Sequence, residues 1–212
     1  DLERSDIAEG QLNPSDSLSD MVSKVAFHEA RTIEQTARLI DLAALEEVAG
    51  RIAAGARVIA VGVGASGLAA SDLSQKLHRI GVNCLNAPDT HLQLVHAALA
   101  GTDAVVIAFS FSGGTRDVLH AVEVAARTGA LTVAVTGDPD SALADACDLV
   151  LRTPAREATL RAAALASRMA QLAVVDFLFL RIGQLRFDDL GSVLDVTRQA
   201  VTPQHLPRGE RN

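Results

Sequence analysis

Chemistry concentrates in two short segments of this sequence, Gly62-Val63-Gly64-Ala65-Ser66 and Ser110-Phe111-Ser112-Gly113-Gly114-Thr115, both rich in glycine and small hydroxyl side chains. The first follows the apolar run Arg57 to Val61 and the second follows Asp103 to Phe109. Each then leads into a helical pattern, so each sits where a strand hands over to a helix. A helix start offers unpaired backbone N–H groups and the positive end of the macrodipole. Glycine lets a ligand approach the backbone, and a small hydroxyl adds a donor without blocking the way. The two segments together predict a pocket for one phosphate group, contacted by Gly64, Ser66, Ser110, Ser112, Gly113 and Thr115. The second is the more specific, because Ser-x-Ser-Gly-x-Thr packs three hydroxyls and a glycine into one turn. Thr115 is the one most readily explained as a helix cap alone.

Gly62, Gly64 and Gly67 also fit GxGxxG after a strand, the dinucleotide-binding spacing. That site needs an acidic residue at the end of the next strand to hold ribose hydroxyls. Here the strand ends Cys84-Leu85-Asn86, and Asp89, three residues too late, reads as a helix cap. A plain tight turn is the other reading of these glycines. His28, His78, His96, His120 and His205 lack ligand spacing, and Cys84 and Cys147 form no CxxC or Cys/His cluster. No metal and no cofactor are expected, and both thiols read as small buried apolar groups.

Composition narrows the partners. With 26 acidic against 19 basic residues the formal charge is −7 and the isoelectric point about 5.3, so these residues alone are unsuited to nucleic acid. The absence of Trp and Tyr removes the usual stacking platforms for single strands. Apolar residues make up 49%, enough for a substantial core, yet no run approaches the roughly 20 residues that cross a bilayer. With no apolar leader at its start, the sequence predicts a soluble cytoplasmic protein.

The elements that must hold the two segments follow from periodicity. Residues 1–17 read as a linker or frayed end, capped at Asp16 or Ser17. Met21, Val25, Ala30, Ile33, Ala37 and Ile40 recur at helical steps through Leu18 to Ile40, and Asp41 restarts a second helix through Ile52. Strands at 57–62, 82–86, 103–109, 130–136 and 148–151 then alternate with helices at 66–80, 89–99, 114–128, 140–146 and 156–182. Near-continuous apolar strands in such alternation predict an α/β fold: a three-layer αβα sandwich on a five-stranded parallel sheet of flavodoxin-like order 2-1-3-4-5. In that order the first and third strands are neighbours and the chain reverses between them, which puts both segments at one crevice. The division reads as 1–17 linker, 18–56 helical lead, 57–186 ligand-binding domain, and 187–212 a C-terminal segment with a mobile tail.

The pattern of Gly62 to Ser66, Ser110 to Thr115 and the strands between resembles the sugar isomerase (SIS) domain. More narrowly, the stretches Asp72 to Gly81, Asp89-Thr90-His91-Leu92-Gln93, Thr136 followed by Ser141-Ala142-Leu143-Ala144, and Ser167 to Asp176 resemble the sensing half of RpiR-type bacterial transcriptional regulators. The resemblance spans roughly Leu18 to Arg186. It implies a phosphorylated sugar or sugar acid as ligand, a homodimer or larger homo-oligomer paired through helices, and DNA binding only through a helix-turn-helix domain ahead of residue 1, absent from these 212 residues. Pairing surfaces would come from Leu18 to Ile40 and Glu157 to Ile182.

The same resemblance leaves room for a stand-alone phosphosugar aldose–ketose isomerase, a reaction that needs a positioned base and an acid for ring opening. Glu157, where SIS isomerases place an acidic catalytic residue, and His91 are the candidates. Both, with Arg161, are equally candidates for plain sugar contacts. Glu157 also suits a first helical turn on electrostatic grounds alone. The expected role is effector sensing without catalysis.

Overall fold

The computed structural model describes Asn13, residues 15–154 and residues 165–201. Two helices lead: α1 (Leu18–Leu39) and α2 (Leu42–Ala53). Ser17 and Asp20 close a reciprocal capping box on α1, and Asp41 accepts from the amides of Ala43 and Ala44 at the start of α2. Then follow β1 (Arg57–Gly62), α3 (Ala65–Arg79), β2 (Cys84–Asn86), α4 (Thr90–Ala98), β3 (Ala104–Phe109), α5 (Arg116–Ala126), β4 (Leu131–Thr136), α6 (Ala142–Ala146), β5 (Leu149–Arg152), α7 (Leu165–Leu185) and α8 (Phe187–Val201).

The strands form one parallel sheet of order β2-β1-β3-β4-β5, the expected order. The apolar runs are nearly continuous because both faces are covered and successive side chains alternate between them. Val58 and Ala60 of β1 with Val105, Ile107 and Phe109 of β3 join Val48 and Ile52 of α2, Leu73 and Leu77 of α3, and Val174, Leu178 and Ile182 of α7. Ile59, Val61, Val106, Ala108 and Ala134 point the other way, onto Ala97 of α4, Val118, Ala121 and Val122 of α5, and Leu143 of α6. Alanines dominate that second face.

At the amino ends of the strands, Arg57 forks onto Asp103 at 3.1 and 3.3 Å and donates to the Ala100 carbonyl at 2.6 Å. The hydrogen bond from Arg57 holds the Asp103 carboxyl below its ordinary range. The carboxyl ends carry the two glycine-rich loops instead.

Two findings depart from expectation. In α1 the helical period is right, but the buried residues are Thr32 and Thr36, while Met21 and Ile33 are 36% and 38% exposed and Ala30 and Ala37 also face out. The two threonines tolerate burial because their hydroxyls donate to the carbonyls of His28 and Thr32. The main packing partner of α1 is α7, whose described part runs to Leu185. Beyond it, where no element was expected, stands α8; Leu194 packs on the core and Thr197 donates to the Arg79 carbonyl. The expected linker at 1–12, the expected helical start at 156–164 and the tail at 202–212 lie outside the described residues. Among the described residues no helix is long and apolar enough to cross a membrane.

Candidate functional site

Gly62 pairs with Phe109 across β1 and β3, so the two glycine-rich loops leave neighbouring strands at the same end. The first loop is built on close approach. A Cβ on Gly62 would stand 2.7 Å from the Ser66 carbonyl oxygen, so only glycine lets the first turn of α3 press on the end of β1. Gln93, 2% exposed, fixes this junction from α4. Its Nε2 donates to the carbonyls of Gly62 at 3.0 Å and Ala87 at 2.7 Å, and its Oε1 accepts from the Gly62 amide at 3.2 Å. Gly64 then takes the N-cap of α3 with φ 60° and supplies no side-chain cap. Ser66, half-buried in the first turn, accepts at Oγ from Nε2 of Gln171 at 3.1 Å. A hydroxyl that accepts in this way keeps its own proton to donate.

The second loop is ordered by bonds among its own residues and by bonds to β4 and α6 close beside it. The amide of Ser110 extends the ladder to the Val135 carbonyl, and the amide of Gly113 turns back to the Ser110 carbonyl at 3.1 Å. Ser112 Oγ accepts from the Gly114 amide at 3.3 Å, and Ser110 Oγ and Thr115 Oγ1 share a hydrogen bond of 3.0 Å. One proton serves that pair, leaving the other for a ligand. Gly113 adopts φ 62° against α6: a Cβ there would overlap Ser141 Oγ, and the Gly113 carbonyl accepts from the Leu143 amide. Thr136 Oγ1 donates to the Phe111 carbonyl, so Thr136 and Ser141, residues of the expected motif, support this loop from behind.

Thr115 does not act as a plain helix cap, the alternative reading of it. It stands at the N-cap of α5, but its side chain makes no capping bond and turns to Ser110 instead. Six helices have described N-caps. Ser17, Asp41, Asp89 and Ser141 cap α1, α2, α4 and α6 with their side chains, and only α3 and α5, which follow the two loops, go without. Their first-turn amides lack the side-chain acceptor that the other four receive, so two dipole-positive ends open at adjacent strand termini.

Exposure separates the hydroxyls. Ser110 is 2% exposed, Thr115 and Ser66 are half-buried, and Ser112 is exposed. His91 is exposed in the first turn of α4. Glu157 and Arg161 lie outside the described residues, in the stretch that joins β5 to α7. Asn86, where a dinucleotide site needs a carboxylate, donates to the Ala60 carbonyl and accepts from Ser71 Oγ. Burial pushes the thiols of Cys84 and Cys147 up to about 12, which suits neither to nucleophilic work. Among the described residues no group of His, Cys, Asp and Glu could hold a metal ion.

Two residues given no role in advance prove central, Gln93 and Gln171. Each lies in a stretch that carries the family resemblance, and each is a lone amide among apolar helical neighbours, a signal that could have singled it out. Further along the same pair of helices, Lys76 of α3 bonds Asp72 at 2.7 Å and reaches Asp176 of α7. Burial works against the Lys76 charge, but its hydrogen bonds to Asp176 and Asp72 outweigh that cost and raise its pKa.

The SIS domain family matches residues 52–181. An uncharacterised helix-turn-helix-type transcriptional regulator of Caldanaerobacter subterraneus is 32% identical over 198 residues, covering 93% of this chain and 70% of the regulator. The Vibrio vulnificus NanR protein, solved in complex with ManNAc-6P, superposes with a TM-score of 0.82 at 26% identity, over 89% of this chain and 71% of NanR. The sugar isomerase domain of an RpiR transcription factor from Sphaerobacter thermophilus gives 0.73 at 22% identity, over 84% of this chain and 98% of that one. A phosphoheptose isomerase of Francisella tularensis shares the fold as well, at 20% identity and a TM-score of 0.66, over 80% of this chain and 100% of the isomerase.

Proposed function

The chain belongs to the SIS domain family, and on that premise we propose that it is the effector-sensing domain of an RpiR-type transcriptional regulator, binding a phosphorylated sugar or sugar acid. The observation that carries this reading is the pair of uncapped helix starts, α3 and α5, at neighbouring strand ends. There the phosphate receives backbone amides from both helices, with hydroxyl protons from Ser66, Ser112 and the Ser110–Thr115 pair. Ser110, largely covered, acts mainly by holding Thr115. To His91 and, from the stretch before α7, to Glu157 and Arg161 we assign the contacts with the sugar. The likeness to NanR makes ManNAc-6P the first ligand to try.

Sensing requires that occupancy change something at a distance. α7 carries Gln171 against Ser66 and also packs on α1 and α2. The outward apolar residues of α1, Leu18 at 75% and Val22 at 56% exposure among them, suit pairing with a second copy. A ligand that favours one geometry of that dimer would alter the spacing of attached DNA-binding domains, to which DNA half-sites are sensitive. Isomerases share the fold at 19 to 20% identity, whereas relatives at 32% identity are regulators.

The test is thermal unfolding and titration calorimetry with a phosphosugar panel headed by ManNAc-6P, together with an assay for aldose–ketose conversion. A true effector at one hundred times its Kd contributes about 2.7 kcal/mol, or about 5 to 10 °C in the midpoint. The expected result is such a shift without turnover. No shift at millimolar concentration overturns the sensor, and turnover lost in Glu157→Gln replaces it with the isomerase.

A further inference from the structure

We infer that Gln171 is a positioning residue that fixes the Ser66 hydroxyl as a donor and so makes the first loop selective for an acceptor-only anion. The inference rests on the phosphosugar reading and adds to it a residue, on a distant helix, that determines how that site discriminates. Gln171 is 1% exposed and its Nε2 lies 3.1 Å from Ser66 Oγ, a contact across 105 positions of sequence. A serine in the first turns of a helix ordinarily turns its hydroxyl to the carbonyl four residues back or to water. Here that carbonyl belongs to Gly62 and already accepts from Gln93. The amide of Gln171 fills an acceptor site on Ser66, which leaves the serine proton to be given outward.

Both partners are held rigidly, so the orientation is built in before the ligand arrives. Ser66 sits in a turn pressed on the end of β1, and the Lys76 contacts to Asp72 and Asp176 fasten α3 to α7 a few turns further along. A phosphate oxygen, which only accepts, matches a hydroxyl so directed. A sugar hydroxyl, which must itself donate somewhere, gains less.

Titration calorimetry with ManNAc-6P and with inorganic phosphate on the wild type, Ser66→Ala, Gln171→Leu, Gln171→Glu and the double variant Ser66→Ala/Gln171→Leu tests this. Ser66→Ala and Gln171→Leu each weaken binding about ten-fold, the double variant no more than Ser66→Ala alone, because the amide acts through the hydroxyl. Gln171→Glu turns the donor into an acceptor that takes the Ser66 proton, and places a negative charge beside the anion. It binds about one hundred-fold more weakly than wild type near pH 8, and the ratio narrows towards pH 5 as the carboxyl protonates. Sulfate, whose charge is constant over this range, is titrated beside them to remove the phosphate's own second ionisation at about pH 6. With sulfate, a merely structural role would leave the ratio flat. Independent losses that multiply in the double variant, or a sulfate ratio unchanged with pH, overturn the inference while leaving the phosphosugar site standing. Binding of none of these probes by wild type removes that site and the inference with it. Should Gln171→Leu lack a cooperative unfolding transition, Gln171→Met takes its place in the cycle.

Discussion

The two glycine-rich loops leave neighbouring strand ends and are ordered by different means. The Ser110–Thr115 loop bonds among its own residues: Ser110 bonds Thr115, Ser112 takes the Gly114 amide, and the Gly113 amide returns to Ser110. Its outside partners, Val135, Thr136, Gly137 and Leu143, lie within about thirty residues of it. The Gly62–Ser66 loop has one hydroxyl and borrows its order, from Gln93 thirty-one positions along and Gln171 one hundred and five. A loop whose hydroxyls bond within it can be read from a short motif. One that is held from outside depends on where other helices land, and its supports carry no local signature. The difference also sets what damages each: backbone shape for the second loop, distant amides for the first.

The severest break in the second loop is Gly113→Ala. The methyl group would overlap Ser141 Oγ at the cap of α6, and φ 62° is costly for any residue with a Cβ. We expect a loss of about 3 kcal/mol and a fall of about 6 to 12 °C in the thermal midpoint, with phosphosugar binding abolished. Calorimetric unfolding and titration of the same sample check both. A midpoint within 2 °C of wild type, about the smallest shift worth 1 kcal/mol at this size, would show that the second loop is not so tightly determined.

Next comes the outside support of the first loop. Gln93→Leu keeps the volume but strands three buried backbone groups, the amide and carbonyl of Gly62 and the carbonyl of Ala87. Buried groups left without partners make this worth about 2 to 4 kcal/mol, and hydrogen exchange at Gly62 should accelerate while amides of the second loop stay protected. Equal acceleration in both loops would mean that they form one cooperative unit and that the contrast between them is false.

The same contrast explains how much could be read in advance. Strand positions and sheet order were legible because burial on both faces leaves unbroken apolar runs, and four helix starts carry Ser or Asp caps in plain sight. The hydroxyls of the second loop were legible for the same local reason. The role of Thr115 was not, since cap position alone does not tell whether a side chain turns to the helix or to Ser110. In α1, periodicity announces that a stripe exists but not what lies against it, and Thr32 and Thr36 rather than Ile33 meet the rest of the chain. α8 escaped notice because Gly191 and the acidic Asp188, Asp189 and Asp195 interrupt its apolar pattern. Its anchors, Leu194 on the core and Thr197 on Arg79, are tertiary.

The smallest expected effect on stability is the sharpest test of what the second loop is for. Ser112 is exposed, and its described contact is the acceptance of the Gly114 amide at 3.3 Å, a bond that water can replace. Ser112→Ala should therefore leave the unfolding free energy within about 0.5 kcal/mol of wild type. If the hydroxyl is there for the anion, phosphosugar affinity still falls about five- to ten-fold, because a hydrogen bond to a charged oxygen is lost from a site that otherwise stays intact. Gly113→Ala lowers stability and binding together; Ser112→Ala separates them. A variant with unchanged stability and unchanged affinity would reduce the Ser-x-Ser-Gly-x-Thr segment to a turn, and leave the anion to the first loop and the backbone amides of α5.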